Sequence, residues 1–112
     1  MAQQSIALDT VFSALADPTR RAVVKRLGQG PASISELAHP FDMALPSFMK
    51  HIHFLEAAGL IRTEKAGRVR HCTLSREQVA AVQGWLDEQR GIWEGRTDRL
   101  DAFVTQSKGT EA

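Results

Sequence analysis

The residues best equipped to ligate a metal or act as nucleophiles are His39, His51, His53, His71 and the single cysteine, Cys72. Spacing argues against both roles. On a helix His51 and His53 stand two positions apart, so their side chains diverge by roughly 200° at 3.6 residues per turn. On a strand the adjacent His71 and Cys72 point to opposite faces. Neither pair chelates locally, which leaves only a long-range or inter-subunit site; no metal or cofactor is expected. Cys72 alternates with Leu74, which favours a buried, inert thiol over a redox switch. No glycine-rich phosphate loop, nucleophile elbow or His-Glu-x-x-His sequence is present. Asp87 with Glu88, and Asp98 with Asp101, read as surface charge of a helix. The inventory points away from an enzyme.

What remains is binding of a polyanion. The 112 residues carry 14 Lys+Arg against 13 Asp+Glu, a net charge of +1 that conceals an uneven distribution. Residues 17–74 hold nine basic and five acidic side chains together with all four histidines, while both flanks are acidic on balance. A basic centre between acidic flanks suits a surface facing nucleic acid. The length fits one domain, and a 43% hydrophobic share can bury a core. No apolar run is long enough to span a bilayer, so no membrane partner is expected. Ala14-Leu15-Ala16 imitates a signal cleavage site, but no Lys or Arg precedes it and Asp9 interrupts the apolar run; export is not expected. One cysteine makes no internal disulfide, consistent with a reducing cytoplasm.

Five helices and a hairpin must position the basic centre. Residues 6–15 place Ile6, Leu8, Val11, Phe12 and Leu15 largely on one side of a short helix. Asp17-Pro18-Thr19 starts a second helix, with Asp17 as its cap, and Gly28-Gln29-Gly30-Pro31 ends it. Ser33-Ile34-Ser35-Glu36 is a capping box opening a very short third helix that Pro40 closes. After a turn, Pro46 opens a fourth helix in which Phe48, Ile52 and Leu55 share one face. Ser47, Lys50 and His53, with Met49 beside them, occupy the other. Gly59 ends it. Ile61–Lys65 and Arg68–Leu74 form a hairpin through Ala66-Gly67. Ser75-Arg76-Glu77-Gln78 reads as a second capping box, beginning a long helix to about Thr105. Val79, Leu86, Trp93 and Leu100 recur there every seven residues, and a bend is allowed near Gly84 because glycine weakens a helix interior.

A short helix, a tight turn and an amphipathic helix with a polar outer face make a helix-turn-helix, and the hairpin beside it makes a wing. The expected fold is mainly α (α+β): a winged helix-turn-helix with a two-stranded β-hairpin wing and a long C-terminal dimerisation helix. Ser47, Lys50, His53 and Met49 are the candidate base contacts, and the end of Met49 could touch a thymine methyl. Lys65, Arg68 and Arg70 on the wing would grip phosphate. The cluster Arg20-Arg21 with Lys25-Arg26 is either a solvated face or a further DNA contact. His51 is expected to be structural.

The run Leu15-Ala16-Asp17-Pro18-Thr19-Arg20-Arg21, the helix Pro46-Ser47-Phe48-Met49-Lys50-His51-Ile52, Leu55-Glu56-Ala57-Ala58-Gly59-Leu60-Ile61 and Gly67-Arg68 together resemble ArsR-type winged-helix repressors, over about residues 8–104. The resemblance implies a homodimer paired through its first and last helices, bound to a palindromic operator until a signal releases it. Metal-sensing members carry a Cys-x-Cys pair before the recognition helix, where Ser35-Glu36-Leu37-Ala38-His39-Pro40 has no cysteine. Others use Asp and His on the last helix, and residues 75–112 contain no histidine. The Trp85-Leu86, Trp93-Glu94 and Leu100 pattern is similar to a subgroup without those ligands.

The combined expectation is a homodimeric, cytoplasmic repressor of transcription that binds double-stranded DNA through recognition helix 45–58 and wing 65–70, with an unknown effector. Residues 17–74 form the DNA-binding core of a single domain spanning 1–106, segments 5–16 and 75–106 dimerise, and 107–112 form a flexible tail. Leu8, Phe12, Leu86, Trp93, Leu100 and Phe103 are the candidate dimer contacts. Two alternatives stand beside this: a winged-helix protein-interaction module without DNA binding, and a metal- or thiol-responsive sensor repressor.

Overall fold

The computed structural model describes the backbone of residues 2–108 and the side chains of residues 8–95. Its elements are α1 (Ala2–Ala14), α2 (Pro18–Leu27), β1 (Ala32–Ser33), α3 (Ile34–Ala38), α4 (Leu45–Ala57), β2 (Ile61–Ala66), β3 (Val69–Leu74) and α5 (Arg76–Lys108). They fall into two units, one ending at Val79 and one beginning at Ala80.

Local chemistry sets most boundaries of the first unit. Asp17 caps α2 by accepting the Arg20 N–H at 3.0 Å, and Pro18 occupies the first turn, where its missing N–H costs nothing. Ser33 and Glu36 form the full capping box at α3: Ser33 Oγ accepts the Glu36 N–H, and the Glu36 carboxylate accepts the Ser33 N–H. The Ser33 N–H is also the main reason the Glu36 carboxyl titrates below its usual range. At the end of α4 the Leu60 N–H reaches Leu55 O and the Gly59 N–H reaches Glu56 O. This paired closure needs a left-handed residue, and Gly59 supplies it with φ +77°.

Strand order is β1-β3-β2, all antiparallel. The expected two-stranded hairpin is present, and a third strand, β1, joins it along β3. Ala32 and Ser33 pair with Cys72 and His71, and two residues are too few for any alternation to show in the sequence. The hairpin turn is Gly67-Arg68, one residue beyond the expected Ala66-Gly67, so β3 begins at Val69. Gly67 at φ +67° supplies the positive dihedral that a two-residue hairpin turn needs at its first position. Register places Ile61 opposite Leu74, Thr63 opposite Cys72 and Lys65 opposite Arg70 on one face. That face continues the core, because Ile61 and Cys72 are fully buried.

Phe48, Ile52 and Leu55 are completely buried, packed in a core with Val11, Val23, Leu37 and Leu60. Phe41 from the turn before α4 meets Phe48 with ring centroids 5.6 Å apart. This core holds α4 from behind.

Ser75 and Gln78 do not complete the expected second box. Ser75 Oγ accepts the Gln78 N–H at 3.4 Å, but the Gln78 amide donates to Ala58 O at 2.9 Å, and the Ser75 N–H to Leu60 O. The long side chain is drawn to the carbonyl left open where α4 ends. In the second unit α5 runs without interruption through Gly84, Gly91 and Gly95. Glycine lowers helix propensity but does not by itself break the hydrogen-bond ladder, so no break occurs near Gly84. The helix reaches Lys108, three residues past its expected end near Thr105; the rest of the expected tail, 109–112, lies outside the described residues.

Candidate nucleic-acid interface

With Phe48, Ile52 and Leu55 turned inward, the opposite face of α4 is fixed by geometry. Ser47, Lys50 and His53, three residues apart in turn, spread over about 120° of that face at 100° per residue. All three are exposed, and Met49 is half-buried at their edge. Short polar and basic side chains on a rigid, anchored helix are what insertion into a major groove needs.

The wing projects beyond the core on the side of Ile61 and Cys72. Lys65 and Arg70 are exposed and face each other across the strands, and Arg68 sits in the turn itself. Like charges directly opposite destabilise a sheet, so this pair is a poor choice for folding alone. Arg70 donates to Thr63 Oγ1 at 3.1 Å, and the Thr63 hydroxyl donates to the Glu56 carboxylate at 2.8 Å. That chain ties the base of the wing to α4. No hydrogen bond or ion pair of Lys65 occurs among the described residues, which leaves its ammonium to an outside anion.

On the other flank of α4, Arg20 has a role the sequence did not disclose. Its guanidinium donates to Ala14 O at 2.7 Å and Ser13 O at 3.1 Å, carbonyls at the open end of α1. It also reaches His51 Nδ1 at 3.2 Å and lies 4.1 Å from the centre of the Phe54 ring. A guanidinium only donates, so Nδ1 accepts in this contact whenever the ring is neutral. Asp17 Oδ2 lies 3.7 Å from the same nitrogen, a distance that becomes an ion pair only when the ring is charged. The Asp17 carboxyl is held below its usual range chiefly by the Arg20 N–H; burial opposes this, and the charges of His51 and Arg20 add to it. His51 is thus engaged within the fold, the structural role expected of it, though through the Arg20 side chain. Arg21 donates to Leu15 O and Arg26 to Gly30 O, so three members of the basic cluster on α2 serve carbonyls at or just beyond helix ends. A sequence shows the charges of such a cluster but not the carbonyls that claim them.

Cys72 is buried and paired in register with Thr63 and Ala32. Burial, with help from the Glu56 charge, pushes its thiol up to about 11 against the smaller opposing pull of Arg70, which disfavours the reactive thiolate. Among the described residues no cluster of three His, Cys, Asp or Glu could hold a metal ion. Nor is any helix there long and apolar enough to cross a membrane.

Of the expected dimer contacts, Leu8 is half-buried, while Phe12, Leu86 and Trp93 are 39%, 49% and 68% exposed. The side chains of Leu100 and Phe103 lie outside the described residues.

The arrangement defines a winged helix-turn-helix protein, and residues 15–64 match the helix-turn-helix domain family. The HTH-type transcriptional regulator Rv2034 of Mycobacterium tuberculosis is 38% identical over 79 residues, covering 70% of this chain and 74% of that protein. The transcriptional repressor SdpR of Bacillus subtilis is 27% identical over 70% of this chain and 88% of its own. The crystal structure of the ArsR family transcriptional regulator RHA00566 superposes with a TM-score of 0.75 at 63% identity, covering 80% of this chain and 93% of the other. The chain belongs to the ArsR family of DNA-binding, winged helix-turn-helix transcriptional regulators.

Proposed function

We propose that the protein acts as a homodimeric repressor that occludes a promoter by binding a palindromic operator, and that an effector releases it. The observation carrying this reading is the exposed face of Ser47, Lys50 and His53 on a helix anchored by three fully buried side chains. In this reading residues 17–74 grip DNA: α4 presents side chains to base edges, and Lys65, Arg68 and Arg70 hold the phosphates alongside. Segments 5–16 and 75–106 dimerise within the same domain. The large apolar side chains of Phe12, Leu86, Ile92 and Trp93, exposed in the single chain, support pairing of two copies. Two recognition helices related by a two-fold then meet successive major grooves about 34 Å apart. Such a protein would work in the cytoplasm, beside the chromosome.

Burial of Cys72 counts against thiol sensing, and the opposed cations of the wing count against a pure protein-interaction module. The test is hydroxyl-radical footprinting on the DNA upstream of the protein's own coding sequence. The expected pattern is two protected patches about 10–10.5 base pairs apart, centre to centre. A single patch, or none at any salt concentration, overturns the reading.

A further inference from the structure

A groove runs between the first turn of α4 and the wing. It is lined by the apolar side chains of Ile34, Leu45, Met49 and Val69 together with Ser33, Ser35, Arg68 and Arg70. Leu45 is 57% exposed and Val69 44% exposed, which leaves two apolar side chains open beside Arg68 and Arg70. Leu45 and Met49 are four residues apart, so they stack on one flank of the helix. Glu56, on that same flank, reaches Thr63 of β2, which fixes the flank as the one facing the wing. The groove opens at the N-terminal end of α4, the end from which a recognition helix contacts base edges.

We propose that this groove reads thymine, by enclosing the C5-methyl group against Leu45 and Met49 while Arg68 and Arg70 hold the phosphates of the same strand. This rests on the DNA-binding reading above and adds a specificity to it. The occupant follows from complementarity: Arg68 and Arg70 supply the positive charge a nucleic-acid backbone demands, and Leu45, Met49, Ile34 and Val69 supply apolar surface beside it. Thymine is the base that presents a methyl group in the major groove. A phosphate-binding surface needs no exposed leucine. A methyl-reading one does.

Removing one methyl from such a contact should weaken binding about fourfold, the equivalent of one buried methylene. The test starts with selection of duplexes from a random-sequence library by the full chain, followed by replacement of each thymine in an enriched duplex with uracil. The wild type should lose about fourfold affinity at one or two positions in each half-site. Leu45→Ala, whose folding is checked by circular dichroism, loses the contact in both protomers, so it should bind the thymine duplex about sixteenfold more weakly and be indifferent to uracil there. Val69→Thr, which keeps the branched shape suited to a strand, should show a partial loss of the same discrimination. Indifference of the wild type to uracil at every position overturns the proposal, as does undiminished methyl sensitivity in Leu45→Ala. Failure to enrich any duplex instead defeats the DNA-binding reading on which it stands.

Discussion

Replacing Lys65 with Gln should separate what the wing does for folding from what it does for binding. Lys65 faces Arg70 directly across the hairpin, and both side chains are exposed. A like-charged cross-strand pair costs roughly 0.5 kcal/mol, within the 0.2–1 kcal/mol span of such contacts. Lys65→Gln should therefore raise the melting temperature by about 2–4 °C for a chain of this size. Binding should move the other way. One phosphate contact contributes about 0.9 to the slope of log K against log salt. Scaled from 1 M to 0.15 M salt, that slope corresponds to about a fivefold loss of affinity per contact, and so to about a thirtyfold loss for the two contacts of a dimer. Thermal unfolding followed by circular dichroism reads the first effect, and fluorescence anisotropy across a salt series reads the second. An unchanged slope would remove Lys65 from the interface. A lowered melting temperature would show that its pairing with Arg70 is not repulsive.

Arg20→Met should cost roughly 2 kcal/mol, because the end of α1 and His51 lose their donor while part of that site stays hydrated. Its DNA affinity should fall with no change in salt slope, since Arg20 is committed within the fold; a slope reduced by about 0.9 would mark it as a phosphate contact instead. Asp17→Ala should lose about 1 kcal/mol from the α2 cap while Asp17→Asn keeps most of it, as chemical denaturation would report. Because the Asp17 carboxyl is depressed in the folded chain, its contribution is present above pH 3.8 and disappears as pH falls through the folded value. That acid limb should be missing in Asp17→Asn, and its persistence would locate the titration elsewhere. Native Cys72 should resist a thiol reagent at neutral pH and react rapidly once denaturant is added; fast native labelling would contradict its burial. Trp93→Arg should give monomers in sedimentation, and a variant that remains dimeric would remove Trp93 from the seam.

The parts legible in the sequence are those whose causes lie within a few residues. Asp17, the Ser33–Glu36 box and Gly59 each act on backbone groups two to five positions away, so reading them in order was enough to set the ends of α2, α3 and α4. The same locality placed Phe48, Ile52 and Leu55 inside and Ser47, Lys50 and His53 outside. What escaped was decided across the fold. Gln78 has a local partner in Ser75, but the unfilled carbonyl of Ala58, twenty residues earlier, claims its amide. Arg20 carries the same charge as Lys25, yet only tertiary packing brings α1 carbonyls, His51 and Phe54 within its reach. Strand β1 exists because Cys72 and His71 offer an open edge, which two residues near a proline do not advertise. Leu45 stands in the sequence where the turn gives way to α4 and carries no local signal of burial or exposure; only the fold sets it open beside the wing.

The most direct measurement compares duplexes enriched from a random library by the wild type with those enriched by a variant carrying Ser47→Ala, Lys50→Ala and His53→Ala. All three positions are exposed, so the variant should keep its helical spectrum and a salt-dependent affinity for any duplex supplied by the wing. It should enrich no common sequence, whereas the wild type should return a two-fold symmetric one. Recovery of the same sequence by both proteins would show that the outer face of α4 does not read DNA.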